Sequence, residues 1–244
     1  MKSSTPSSVK PKDPKSILLL GPPGSGKTTL SMQFPRPLFI DCDRNLDGPE
    51  KHLRKLYPNL EYFYESINED DAGKELEPHQ KFDNVMAKLK LARTANVDTV
   101  VVDTMTMVNE FIIRKVLKEQ GQSAMRPMDY QPMKSYYWNL LVSGIRNMGK
   151  TTIVTCHEII LTQPGKTVMT EEIVGYKPSV TGGIADYFGG FFTDIWRCET
   201  QPLPGDKQKF IIRTNKTSKS PDLKSSMGLP GELPASYAEI AKYL

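Results

Sequence analysis

The eight residues GPPGSGKT, 21–28, place three glycines, a lysine and a hydroxyl in the spacing G-x-x-x-x-G-K-[ST]. Gly21, Gly24 and Gly26 can adopt backbone conformations closed to other residues. The loop through Gly21, Pro22, Pro23, Gly24, Ser25 and Gly26 into Lys27, Thr28 and Thr29 can therefore turn several N–H groups onto one phosphate chain. Lys27 then reaches the β and γ phosphates, Thr28 offers its hydroxyl to Mg²⁺, and the start of the following helix adds a favourable dipole. A nucleoside triphosphate with Mg²⁺ also needs a carboxylate near the end of a neighbouring strand, because the ion keeps several waters and takes few protein ligands. Asp103, which ends the run VVVD, is the candidate; capping a helix that begins near Thr106 is compatible with that role. Asp98, at the start of the same strand, should lie far away. His157 follows the run TTIVTC directly, at the carboxyl edge where open α/β sheets bind ligands, whereas His52 and His79 have no such context.

These residues require strands and helices in alternation. SILLL (16–20), stopped by Gly-Pro-Pro-Gly, reads as a strand buried on both faces, followed by a helix from Lys27 to about Phe34. PLFID (37–41) is a second strand and LEYFY (60–64) a third. Pro78 to about Ala95 is a helix with Phe82, Val85, Met86 and Leu89 on one stripe. VDTVVVD (97–103) is the most β-branched run. A helix near Thr106–Glu119, a polar break at 121–129, a helix near Pro132–Asn147 and the strand 151–156 follow. Two hairpins are then expected, one around Gln163-Pro164-Gly165-Lys166 and one around Pro204-Gly205-Asp206, with a final helix over Pro234–Leu244. The fold class is α/β, three-layered, with a mainly parallel central sheet extended by C-terminal antiparallel hairpins.

The 244 residues are 38% hydrophobic and 25% charged, ordinary for a globular chain, and allow a single domain over 16–244 behind a disordered basic leader at 1–15. No apolar run approaches the roughly 18 residues of a membrane span, and the leader has no apolar segment of a secretory signal, so a cytoplasmic protein without a membrane partner is expected. Cys42, Cys156 and Cys198 are far apart, in or beside apolar runs, as buried thiols would be. The formal charge is 32 − 28 = +4, with cations gathered at the two ends and acidic residues over 61–77.

Three further segments carry a family resemblance. LFIDCDRNLD (38–47) resembles the RecA-type segment in which a strand ends in a carboxylate that serves as general base. VVVDTMT (100–106) resembles that family's second nucleotide motif, and IVTCHE (153–158) the strand whose polar end senses the γ-phosphate. Together with the loop at 21–28 they cover residues 16 to about 160. Within that superfamily the chain is similar to small phage RecA-like ATPases, including the Sak-type single-strand annealing proteins, which GPPGSGKTTL, FPRPLFID and TCHE resemble. The resemblance implies a P-loop NTPase that binds ATP and Mg²⁺, with Asp43 as general base, Asp41 competing for that role, and His157 as sensor. Aspartate stands where RecA carries glutamate, and histidine where it carries glutamine; both departures bear on turnover more than on binding.

The same resemblance implies single-stranded DNA as partner, in recombination or annealing, in a host cell's cytoplasm if the source is a phage. The two DNA loops would be 121–130, with Arg126, and 158–182, with Lys166, Tyr176 and Lys177: cations to track phosphates and a ring to stack on a base. It also implies a homo-oligomeric ring or filament, possibly served by a single-strand binding protein. A cation from the next subunit would complete each site; Lys216, Lys219 and Lys224 follow the strand KFIIRT, which itself carries Arg213, and Lys224 is the candidate chosen. Two alternatives remain: an ATPase acting on a protein assembly without DNA, and a P-loop kinase, for whose lid Arg126 and Arg146 are the sole nearby arginines.

Overall fold

The computed structural model describes residues 14–70, 72–165, 171–205 and 207–243. Its elements run β1 (Ser16–Leu20), α1 (Lys27–Ser31), β2 (Pro37–Asp41), α2 (Asp47–Leu56), β3 (Phe63–Ser66), α3 (Pro78–Thr94), β4 (Thr99–Asp103) and α4 (Met105–Glu119). They continue with α5 (Tyr130–Trp138), which passes into a π-helical stretch (Asn139–Arg146), then β5 (Thr151–Cys156), β6 (Glu158–Pro164), β7 (Glu171–Pro178), α6 (Gly182–Phe188), β8 (Asp194–Leu203), β9 (Lys207–Arg213), β10 (Glu232–Pro234) and α7 (Tyr237–Ile240).

Among the described residues, eight strands form one sheet in the order β10-β9-β8-β1-β5-β4-β2-β3. From β8 to β3 every pairing is parallel, while β9 and β10 add antiparallel strands at one edge. This is an α/β fold with a mainly parallel central sheet extended by antiparallel strands, as expected. Every residue of β1, β2 and β4 is buried, because helices or loops cover both faces of a parallel sheet. Alternate side chains serve the two covers. Leu18, Leu20, Ile40, Val100, Val102 and Val154 pack with residues of α3, α4, α5 and α6, such as Leu89, Ile112, Tyr137 and Phe188. Ile17, Leu19, Phe39, Val101 and Ile153 face the other way, toward Leu30 of α1, Leu53 of α2, Leu233 and Ile240.

The chain leaves β1 through the glycine loop and returns at β2, three places away, with β5 and β4 inserted between them. That skip opens a crevice at the carboxyl ends of β1, β5, β4 and β2, the ends that carry the loop, His157, Asp103 and Asp43. Four expectations are corrected. The hairpin at Gln163–Lys166 does not extend the main sheet: among the described residues β6 and β7 pair only with each other, as a two-stranded arm whose described end stops at Gly165, and Lys166 lies outside the described residues. The final helix expected over Pro234–Leu244 is cut short: β10 takes Pro234 into the sheet edge, with Leu233 opposite Ile212, and helical turns begin only at Tyr237, as one turn of α7 followed by a 3-10 turn. The first helix ends at Ser31, not near Phe34, and the third strand starts at Phe63. The expected leader lies outside the described residues up to position 13. Cys42, Cys156 and Cys198 are buried free thiols.

Candidate active site

The loop after β1 is shaped by close approach as well as by turn geometry. Gly21 has φ 150° and faces β8 so closely that a Cβ there would stand 2.5 Å from the Cys198 carbonyl oxygen. Gly24 and Gly26 have φ of 74° and 86°, conformations that L side chains rarely adopt. At Gly26 a Cβ would also meet the Phe210 ring at 2.9 Å. The loop therefore closes over Lys27, which is 6% exposed and donates from Nζ to the Gly21 and Pro22 carbonyls, both at 2.9 Å. Burial lowers its affinity for the proton, offset in part by the surrounding thiols and carboxylates. An ammonium held on neutral carbonyls keeps its full charge available for phosphate oxygens.

Asp103 is 3% exposed at the end of β4. Its Oδ1 accepts a hydrogen bond from Thr155 Oγ1, the Thr28 hydroxyl lies near the carboxylate, and among the described residues Oδ2 is buried without a protein partner. Burial raises its pKa, and the hydrogen bonds and Lys27 oppose that rise. A buried, unpartnered carboxylate oxygen next to a threonine hydroxyl fits Mg²⁺, which takes one or two protein oxygens and fills its octahedron with water and phosphate. Asp103 does not cap α4; Thr104 occupies that position, and the Asp103–Thr104 peptide bond is cis.

Asp41 and Asp43, the two candidate bases, have different surroundings. Asp41 is 7% exposed and accepts the Arg44 backbone N–H at 2.9 Å, so it holds the turn after β2. Asp43 lines the crevice, with Oδ1 buried and unpartnered, and its pKa is pushed up to about 7 by burial first and then by Asp103 and Asp41. His157 lines the same crevice, half-buried, its backbone N–H donating to Thr106 Oγ1 at 3.0 Å. Burial and the Lys27 charge lower its pKa, favouring the neutral imidazole.

The crevice encloses about 530 Å³, a usual size for a small-molecule site, and its walls include pieces that carry little signal in the sequence. Asn45, His52, Leu53, Leu56 and Tyr57 come from α2 and its flanks, and Phe210 from β9. His52 thus has a context after all, supplied by a helix that was not expected. The only signal for α2 was its charge pattern, acidic Asp47 and Glu50 in the first turn and Arg54 and Lys55 in the last.

The expected DNA residues are not gathered in this crevice. Arg126 is exposed at the start of a 3-10 turn and contacts the Asp129 carboxylate at 3.5 Å. Lys177 and Tyr176 are half-buried on β7, and the Arg197 guanidinium lies 3.7 Å from the centre of the Tyr176 ring, occupying one of its faces. Lys224 is half-buried, with its backbone paired to that of Ile195 near the start of β8. Neither Arg126 nor Arg146 lines the crevice.

No curated protein matches the chain. A KaiC-like protein from the hyperthermophilic archaeon Pyrococcus horikoshii OT3 is similar in structure over 82% of this chain and 79% of that one, at 15% identity and a TM-score of 0.47. No helix among the described residues is long and apolar enough to cross a membrane. The family model described as an AAA domain, AAA_24, matches residues 13–222, and with the glycine loop, Lys27, Thr28 and Asp103 arranged as above the chain belongs to that family of P-loop ATPases.

Proposed function

We propose that the chain hydrolyses ATP in the crevice between the glycine loop and the ends of β2, β4 and β5. The observation that carries this reading is the convergence of four groups of different chemistry on one cavity: Lys27, Asp43, Asp103 and His157 all line it. Phosphoryl transfer asks a protein mainly for positioning and charge stabilisation. The loop N–H groups and Lys27 hold the β and γ phosphates, and Thr28 and Asp103 would hold Mg²⁺, which would supply positive charge to the phosphate oxygens. Asp43 accepts a proton as water oxygen bonds to the γ phosphorus and the bond to ADP breaks. A carboxylate with its pKa near 7 is matched to that task. Neutral His157 donates to a γ-phosphate oxygen. A kinase lid finds no support, since no arginine lines the crevice among the described residues.

We infer further that the ATPase works as an oligomer on single-stranded DNA in recombination or annealing, with Lys224 of a neighbouring subunit reaching the γ-phosphate. Its supports are the resemblance and the accessible cations Arg126 and Lys177. Phosphate release from Mg-ATP, with and without single-stranded DNA, tests both readings. Parent protein should turn over and Lys27→Ala should not, while both remain folded; equal release by the two would refute the hydrolase. DNA should raise the parent rate, and a rate indifferent to DNA leaves an ATPase that acts elsewhere.

A further inference from the structure

Arg197 stands on β8 opposite Leu20 of β1, one residue before the glycine loop begins. Its Nε and Nη2 donate to Glu158 Oε2 and Oε1, both at 2.7 Å, so the guanidinium grips the carboxylate with two parallel bonds. Nη1 bonds Glu199, and the face of the guanidinium lies on Tyr176. The Arg197 side chain is 13% exposed and that of Glu158 only 2%. Nothing in the hydrolytic scheme uses this buried pair, and desolvating two charges makes such a pair a poor source of stability. Its place in the chain gives it another use.

Glu158 is the residue after His157. The backbone at this junction is held on three sides. His157 N–H donates to Thr106 of α4, the His157 carbonyl accepts from Ser179 N–H at 2.8 Å, and the Glu158 side chain is tied to β8 through Arg197. Beyond the junction the arm is loosely attached: Ile159, Ile160 and Leu161 on β6 and Ile173 and Val174 on β7 are 36–50% exposed. Tyr176, the ring beneath Arg197, belongs to the returning strand. One guanidinium thus fixes both strands of the arm at their root, beside the residue that faces the crevice.

We infer that Arg197 is a positioning residue: by clamping Glu158 and Tyr176 it sets the direction in which His157 enters the crevice. The inference rests on the reading of that crevice as an ATP hydrolase with His157 at the γ-phosphate. A misplacement of about 1 Å can cost about a hundredfold in rate, so the clamp is felt in kcat and not in ATP capture, which the glycine loop performs.

The test is a double-mutant cycle between positions 197 and 157 on the full chain, with kcat, KM for ATP and the melting curve measured for each protein. Arg197→Met should lower kcat by about tenfold to a hundredfold with KM nearly unchanged, and should have almost no further effect in the His157→Ala background. Arg197→Lys keeps a charge but loses the two-pronged grip and should fall between parent and Arg197→Met. The same loss in both backgrounds, or a change confined to KM, overturns the inference. A parent no faster than Lys27→Ala would instead defeat the hydrolase reading. The clamp is then read from the His157 ring resonances by NMR, which Arg197→Lys must shift and which, unmoved, reject it.

Discussion

Asp43 illustrates how a single residue can trade stability for chemistry. Its carboxyl keeps its proton in the folded protein up to about pH 7, but an unperturbed aspartate in the unfolded chain releases its proton near pH 4. The folded state therefore binds more protons in that interval, and the stability this group contributes is complete below pH 4 and lost as pH rises through 7. Asp43→Asn removes the charge and with it the crowding against Asp103 and Asp41. At pH 8 and without nucleotide it should melt higher, by about 0.5–2 kcal/mol of added stability, while retaining ATP and losing turnover. The parent's kcat/KM should rise with pH through about 7, since the base acts only when ionised. A variant that melts at or below the parent temperature, or one that still turns over, removes Asp43 from the role and returns it to Asp41.

At the scale of elements, the parts of the site carried by strongly patterned segments were legible in the sequence. β1 and the glycine loop, β4 with Asp103 and β5 with His157 are short β-branched or aliphatic runs that end in a polar residue, and in a parallel sheet such ends gather along one edge. α2 was hidden because Gly48 and Pro49 sit in its first turn and Leu53 is its one buried side chain, so its apolar stripe is too thin to read as a period of 3.6. The C-terminal segment misled in the opposite direction, since its apolar residues fit a helix until the free edge of β9 is known. Phe210 shows what such hidden elements add. From β9, five places along the sheet from β3's neighbour β2, it reaches the loop and lines the crevice with its ring over Gly26, 37% exposed and placed to stack on a nucleotide base. Aromatic stacking adds about 0.5–1.5 kcal/mol beyond area burial. Phe210→Ala should therefore raise KM for ATP roughly twofold to twelvefold and leave kcat within about threefold. An unchanged KM would place the base against α2 alone.

For the whole molecule, the distribution of charge decides from which side a polyanion can approach. The far edge at β3 and the segment after it carry Glu65, Glu69 and Glu75, only partly answered by Lys88, Arg44 and Lys81, so phosphates are repelled there. The cations named for DNA lie elsewhere, Lys177 on the arm and Arg126 at the turn before α5. If single-stranded DNA binds there, each neutralised phosphate contributes about −0.7 to the slope of log K against log salt. Lys177→Ala or Arg126→Ala should then flatten the slope by roughly that unit each. Tyr176→Ala should behave differently, because Arg197 already covers a face of its ring and the ring anchors the arm. A desolvated cation–π contact contributes up to about 2 kcal/mol, and its loss should appear as a lower melting temperature with the salt slope intact. A Tyr176→Ala protein that melts like the parent yet binds DNA more weakly by about 1–3 kcal/mol would show that the free face of the ring holds a base. Binding with no salt dependence, or none at all with ATP present, would leave the arm without a nucleic-acid role and direct the ATPase toward a protein partner.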